Sequence, residues 1–353
     1  MTNRWQSCWH RKIGLLMDYS GKQSLQFRFR FLCLALLGAA FLPHLLQAQT
    51  CLTADDLDQA TKTALTNTAN SFFSMAAKGD AAALQQNTIA SLAGNFSGVA
   101  ASIKAHQQDF ASAQVSVRPP FELTATGTAP LPHAEFLCGV FSATGQTANS
   151  RIISIPNLPP GTYGLVTLDV TAPKESDMVT FILRQEGTAW KMGGFFVKEK
   201  EIAGHDADWF LQKARDFKSK GQTHNAWFYF IEGHSLMVPV DFMSTQATDK
   251  VYTEMQSVRP ADLPPSDLAV DGKTYKLTAM FPFAVGNDLD LIVRFEFPDV
   301  SNTPQAFQAN MAVIKGLVQK YPELRQAFNG VVARATEPSG KDYGSLLPMS
   351  EIK

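Results

Sequence analysis

A change of pattern near Val115 constrains the fold of this 353-residue chain more than any other feature. Before it, apolar residues recur at helical spacing in two stretches, 53–78 and 81–110, which a Lys78-Gly79-Asp80 break separates. After it, six short β-like runs are divided by Pro and Gly turns: Glu122–Thr126, Glu135–Phe141, Arg151–Ile155, Tyr163–Thr171, Met178–Leu183 and Trp190–Val197. Helices followed by a β-meander predict an α+β domain over 51–202, with the helices packed on a curved antiparallel sheet.

Three pieces of this region resemble the nuclear transport factor 2-like superfamily: Phe72-Phe73 in the first helix, the Lys78-Gly79-Asp80 break, and the closing hairpin. The hairpin, with Val179–Leu183 and then Trp190-Lys191-Met192-Gly193-Gly194-Phe195, is similar to the last hairpin of small exported bacterial proteins of this type. The resemblance implies a cone-shaped domain with a pocket. A transthyretin-like sandwich is the alternative, because Leu158-Pro159-Pro160-Gly161-Thr162-Tyr163 resembles the turn before a strand in those modules.

The resemblance also directs attention to one acid and one tyrosine. Some enzymes of this fold use a pocket acid and a tyrosine for proton transfer. Asp169 lies among apolar neighbours in a predicted strand, and Tyr163 is the only tyrosine between residues 115 and 200. Both are therefore candidate ligand-binding residues, and a carboxylate at the end or on the exposed face of a strand is the alternative interpretation of Asp169.

The first 48 residues have the pattern of a secretory signal peptide. Arg28 and Arg30 precede the apolar run Phe31–Leu42, and Leu46-Gln47-Ala48 ends in a small residue suited to cleavage. The apolar run is too short to span a bilayer, which takes about 20 residues. The pattern predicts cleavage near Ala48, a periplasmic or secreted protein without a transmembrane span in the mature chain, and a true start at Met17.

Removal of residues 1–48 changes the charge and the cysteine count. The segment holds six of the 31 Lys and Arg and one of the 32 Asp and Glu, so the mature chain carries 25 basic and 31 acidic groups, a net charge of −6. That balance excludes general electrostatic binding to nucleic acid or to anionic lipid. Only Cys51 and Cys138 remain, and two cysteines in an exported chain predict one disulfide. The alternative is a lipid on Cys51.

The second half of the mature chain divides into three predicted parts. Residues 205–257 contain a helical hairpin whose small and aromatic positions resemble a single tetratricopeptide unit. The proline-rich stretch 258–267 is typical of a linker. In 268–353, two alternating runs, a helix face and one further apolar run predict a small ββαβ unit.

Motifs for catalysis and for metal binding are weak. Gly233-His234-Ser235-Leu236-Met237 resembles a nucleophile elbow, but Met237 stands where the turn requires a small residue. His205 has no second histidine at helical i+4 spacing, and His224 and His234, ten positions apart, do not share a helical face. The sequence therefore predicts no catalytic residue, no metal and no cofactor.

These observations favour a non-catalytic binding or structural module of the cell envelope, whose partner is an unidentified protein or small molecule. The alternative is a small-molecule-binding protein or a ketosteroid-isomerase-like enzyme that uses the pocket of the first domain.

Overall fold

The computed structural model describes residues 49–173 and 175–353, so the predicted signal peptide lies outside the described residues. Within them the chain forms eight α-helices and fourteen strands. The helices are α1 (Gln59–Ala77), α2 (Ala81–Gln86), α3 (Ala90–Ala93), α4 (Ser97–Phe110), α5 (Ala207–Ser219), α6 (Thr223–Leu236), α7 (Gln246–Gln256) and α8 (Thr303–Lys320). The strands are β1 (Gln49–Leu52), β2 (Gln114–Val117), β3 (Phe121–Ala125), β4 (Leu131–Ser142), β5 (Gly145–Leu158), β6 (Gly161–Thr171), β7 (Ser176–Glu186), β8 (Ala189–Glu199), β9 (Met243–Thr245), β10 (Ser266–Val270), β11 (Lys273–Val285), β12 (Asp288–Glu296), β13 (Gly330–Thr336) and β14 (Asp342–Pro348).

The first sheet carries the N-terminal helices, as the pattern predicts. Its strands are paired antiparallel in the order β1-β3-β6-β7-β8, and β2 pairs with another part of β6. The buried residues of α1 and α4, among them Phe72 and Ile103, form one core with Val166 and Phe181 of the sheet. The α+β class is therefore confirmed. Gly193 makes a bulge in β8, since the register against β7 shifts there.

The meander is divided between two sheets. β4 and β5, with β9, form a separate three-stranded antiparallel sheet. Its apolar side, including Phe136 and Ile153, shares a core with Leu123, Leu165 and Ile182 on the face of the first sheet that points away from the helices. The first domain thus has three layers, with helices on one side of a two-sheet sandwich. Alternation along a strand shows which residues point inward, but it does not show which sheet the strand joins.

The segment after α6 returns to the first domain. Val238, Val240 and Met243 belong to the core between the two sheets, and β9 pairs with β5. Phe242 also packs edge-on against Phe196, with 5.3 Å between the ring centroids. The predicted unit 205–257 is therefore anchored at its centre to the domain that precedes it.

The C-terminal sheet has five strands in the order β10-β11-β12-β13-β14. The predicted β-hairpin, helix and following strand are β11, β12, α8 and β13, and β12 and β13 are parallel because α8 crosses over between them. Two strands were not predicted: β14, and β10, which begins at Ser266 inside the predicted linker. Both are edge strands, where short runs give little alternation to detect.

The helical hairpin and the C-terminal sheet share one hydrophobic core. Phe210, Phe228 and Phe230 of α5 and α6 lie in the same buried cluster as Val293 and Phe295 of β12. A Cβ atom added at Gly233 would lie 2.7 Å from a methyl carbon of Leu211 on α5, so the two helices are closely packed. The proline-rich stretch therefore joins two parts of one core.

Candidate functional site

The two predicted ligand-binding residues are held apart by their strand. Tyr163 and Asp169 lie six positions apart on one face of β6, which corresponds to about 20 Å. The Tyr163 hydroxyl donates a hydrogen bond of 2.7 Å to the Pro159 carbonyl, and the Arg184 guanidinium lies 5.8 Å from its ring centroid. Burial raises the pKa of Tyr163, so the phenol stays protonated. The structure does not bring these two side chains together.

Asp169 is bound by two cations. Arg118 donates two hydrogen bonds to its carboxylate, of 2.7 and 2.8 Å, and the Lys200 ammonium lies 3.1 Å from it. The hydrogen bonds from Arg118, with the help of Lys200, outweigh the effect of burial and lower the pKa of Asp169 to about 2. This arrangement links β2, β6 and the end of β8, a structural role that a face-exposed strand acid can take.

We expect Asp169→Asn to lower the free energy of unfolding by about 1–2 kcal/mol at pH 7, because the neutral amide loses both ion pairs. The folded pKa lies below the unfolded value of about 3.9, so the contribution is complete above about pH 5 and disappears as the pH falls through about 2. Urea unfolding at pH 7 and pH 2 tests this. The exposed Asp267→Asn is the control, and a deficit of equal size at both pH values would contradict the prediction.

The space between the helices and the first sheet is filled by aromatic side chains. The ring centroids of Phe72 and Phe181 are 6.0 Å apart, and those of Phe73 and Phe110 are 5.1 Å apart. All four residues are buried. The region between the helices and the first sheet is therefore a packed aromatic core at these residues.

Cys51 and Cys138 form the predicted disulfide, with 5.1 Å between their Cα atoms. β1, which carries Cys51, pairs with β3 at the edge of the first sheet, and β4 carries Cys138 in the second sheet. The bond therefore closes one side of the sandwich and fixes the start of the described chain to it. The sulfur of Cys51 is thereby committed to a disulfide, which disfavours a lipid at this residue.

An open groove of about 270 Å³ lies along one face of α5. Three residues of that face and the residue that caps its C-terminal end follow one another at helical spacing: Trp209, Lys213, Asp216 and Lys220. Phe217, Tyr229 and Gln326 complete the lining. Phe217 and Tyr229 are buried, whereas Lys213 and Lys220 are exposed. The groove has an aromatic floor between two cationic positions.

Contacts between neighbouring elements hold the groove in shape. The Tyr229 hydroxyl donates a 2.6 Å hydrogen bond to the Ala327 carbonyl, and burial raises the pKa of Tyr229 to about 12. The Gln222 amide donates to the Gln326 side chain over 2.9 Å, which joins the start of α6 to the 3-10 helix Pro322–Gln326. Because these groups are already paired inside the protein, the floor and one wall are fixed before any ligand arrives.

The two lysines lie over aromatic rings. The Lys213 ammonium is 5.7 Å from the Trp209 ring centroid, and the Lys220 ammonium is 5.9 Å from that of Phe217. Both side chains therefore lean towards the start of α5, as Cβ geometry favours. His205 stacks on Trp209 with 3.6 Å between centroids and 3° between planes, which fixes the indole.

A buried histidine, His224, contacts the 3-10 helix Pro322–Gln326. The ring nitrogens of His224 are 2.9 Å from an Asp262 oxygen and 3.1 Å from a Glu323 oxygen. The Tyr321 hydroxyl donates to the other Asp262 oxygen over 2.5 Å. Burial raises the pKa of Asp262, but the hydrogen bonds from Tyr321 and His224 outweigh it, and the pKa is lowered. These groups satisfy one another and bind the start of α6 to the C-terminal unit.

The motifs that could have carried chemistry have structural roles in the folded chain. The elbow-like segment lies inside and just after α6, where the Ser235 hydroxyl donates a 2.8 Å hydrogen bond to the Glu232 carbonyl. Asp206 caps α5, since its carboxylate accepts from the Trp209 amide. Over residues 49–173 and 175–353, no group of three or more His, Cys, Asp and Glu side chains is arranged to hold a metal ion.

The groove was missed by sequence reasoning, although a signal for it exists. The hairpin pattern was taken from the buried face of α5, which includes Phe210 and Ala214. Trp209, Lys213 and Lys220 follow the same helical period, and each lies one position before a residue of the predicted buried face. An aromatic side chain and two cations therefore share the neighbouring face. The His224 cluster gave no such signal, because its carboxylates lie 38 and 99 positions away.

Comparison with known proteins gives no match to a protein-family model, a curated protein or a solved structure. The nuclear transport factor 2-like and tetratricopeptide-like resemblances therefore stay predictions. None of the helices in the described ranges is both long enough and apolar enough to cross a membrane.

Proposed function

We propose that this chain is an exported, non-catalytic binding module of the cell envelope, periplasmic or secreted, and that it binds its partner in the groove along α5. The observation that carries the proposal is the aromatic floor of the groove, fixed by internal hydrogen bonds and bordered by Lys213 and Lys220. Concave sites with apolar floors and a few polar groups at the border are typical of binding sites.

The disulfide supports the location. Disulfides persist in oxidising compartments and are rare in the reducing cytosol. Cys51 and Cys138 both lie after the predicted cleavage point at Ala48, so their bond belongs to the mature chain.

The polar clusters favour binding over catalysis. A general acid or base must reach a reacting group in a cavity. The Asp169 carboxylate is paired with Arg118 and Lys200, and His224 lies between two carboxylates. None of these four residues lines the groove. The alternative, an enzyme of the ketosteroid-isomerase type, has less support because Tyr163 and Asp169 do not converge on one cavity.

Affinity capture tests the proposed function. The mature chain, carrying a tag, is incubated with the exported fraction of the producing cells and compared with the Lys213→Glu/Lys220→Glu variant. We expect a partner that the mature chain retains and that the variant loses at least tenfold, because two cations at the groove are reversed.

The matched control for this capture lies on the same helix. The Lys218 ammonium donates a 3.0 Å hydrogen bond to the Ser257 hydroxyl, and Lys218 does not line the groove. Lys218→Glu therefore changes the charge of α5 without changing the lining of the groove. The control is expected to retain the partner. Equal capture by all three proteins would contradict binding in the groove, and turnover of a substrate that depends on Asp169 would contradict the non-catalytic assignment.

A further inference from the structure

We propose that the occupant of the groove is a peptide segment of a partner protein in the polyproline II conformation, which carries two acidic residues three positions apart with apolar residues between them. This inference rests on the proposed function and adds the chemistry of the ligand. It follows from the charge, the length and the floor of the groove.

The charges at the groove favour an anionic segment. Lys213 and Lys220 are both exposed and both line the groove, whereas Asp216 is the one carboxylate in its lining. The side-chain amide of Gln212 already donates a 3.1 Å hydrogen bond to Asp216. A ligand with two carboxylates therefore pairs with both lysines, and Asp216 disfavours a third acid between them.

The spacing of the lysines sets the spacing of the acids. Lys213 on α5 and Lys220, which caps the C-terminal end of α5, are seven positions apart, which corresponds to about 10 Å along the helix axis. Each side chain leans over an aromatic ring three or four positions earlier, so we expect the two ammonium groups to be separated by a similar distance. In the polyproline II conformation, which has three residues per turn and rises about 3.1 Å per residue, residues three positions apart point in the same direction and are separated by about 9 Å.

The floor of the groove sets the residues between the acids. Phe217 and Tyr229 present aromatic surface between the two cationic positions, and Trp209 continues it at one end. An aromatic or large aliphatic side chain gains most from such a floor. The lined face from Trp209 to Lys220 extends over about 16 Å, which matches about five residues in the polyproline II conformation.

Fluorescence anisotropy with labelled peptides tests the occupant. The probe is Gly-Ser-Glu-Phe-Leu-Glu-Ser-Gly. The first comparison peptide has the same composition but adjacent glutamates, and the second has lysines in place of both glutamates. We expect the probe to bind the mature chain at least tenfold more tightly than either comparison peptide. Lys213→Gln and Lys220→Gln are each expected to weaken the probe at least fivefold, while Lys218→Gln leaves it unchanged.

The outcomes separate this inference from the proposed function. Thermal unfolding of each variant shows whether it is folded, and the glutamine variants avoid placing a new charge beside Asp216. Equal binding of the three peptides, or no binding of any, would overturn the acidic-segment inference. In that case the loss of a captured partner in the double-glutamate variant would still support a binding groove with another kind of occupant.

Discussion

Replacing both Cys51 and Cys138 with alanine is expected to lower the free energy of unfolding by about 4–5 kcal/mol. The two residues are 87 positions apart. Closing a loop of that length reduces the conformational entropy of the unfolded chain, and this loss of entropy raises the free energy of the unfolded state by about 4–5 kcal/mol. The bond also joins β1 to β4, so its loss frees the start of the chain from the second sheet. Urea unfolding of the two proteins, both under oxidising conditions, measures the difference.

The control for this prediction is the effect of a reductant. A thiol reductant is expected to destabilise the natural chain and to leave the double-alanine variant unchanged. Mass spectrometry of the protein purified from its natural cells without reduction adds a direct check of the bond. Two free thiols, or a lipid on Cys51, would contradict both the disulfide and the proposed location.

The second large effect is expected from Phe228→Ala, at about 3–5 kcal/mol of unfolding free energy. Phe228 on α6 is fully buried, and its ring lies 6.0 Å from that of Phe328, which is also buried and belongs to the C-terminal unit. Truncation therefore leaves a cavity in the core that the helical hairpin shares with the C-terminal sheet. Denaturant unfolding followed by circular dichroism measures the loss.

A matched control is available on α8, in the C-terminal unit. Phe307 on α8 is 47% exposed, so Phe307→Ala is expected to cost less than about 1 kcal/mol. If the hairpin and the C-terminal sheet had separate cores, Phe228→Ala would melt the hairpin in a transition of its own. A second, earlier transition in that variant would contradict the shared core.

Local pattern predicted most elements of this fold but not their assignment to sheets. The six predicted runs between residues 122 and 197 are all strands, because alternation and flanking Pro and Gly residues are local features. That β4 and β5 leave the first sheet depends on contacts such as Phe136 with the far side of that sheet, which are distant in sequence. The shared core around Phe228 is a long-range feature of the same kind.

The candidate site shows the same limit. Removal of residues 1–48, as the signal-peptide pattern predicts, leaves two cysteines and one possible pairing, so the disulfide could be predicted from that pattern and the cysteine count. Tyr163 and Asp169 were selected by a family resemblance, and the partners that engage them, Pro159 and Arg118, are set by the fold. The groove depends on Gln326 and Tyr229 meeting α5, and a helical periodicity cannot indicate which distant residues pack beside it.

Site-specific photo-crosslinking tests most directly whether the chain binds its partner in the groove. A photoreactive amino acid replaces Gln326 in the groove wall, or exposed Lys104 on α4 as the control. The predicted result is a crosslinked partner at position 326, lost when Lys213 and Lys220 are both changed to glutamate, and none at position 104. The same crosslinked product at both positions, or one that survives the double change, would contradict binding in the groove.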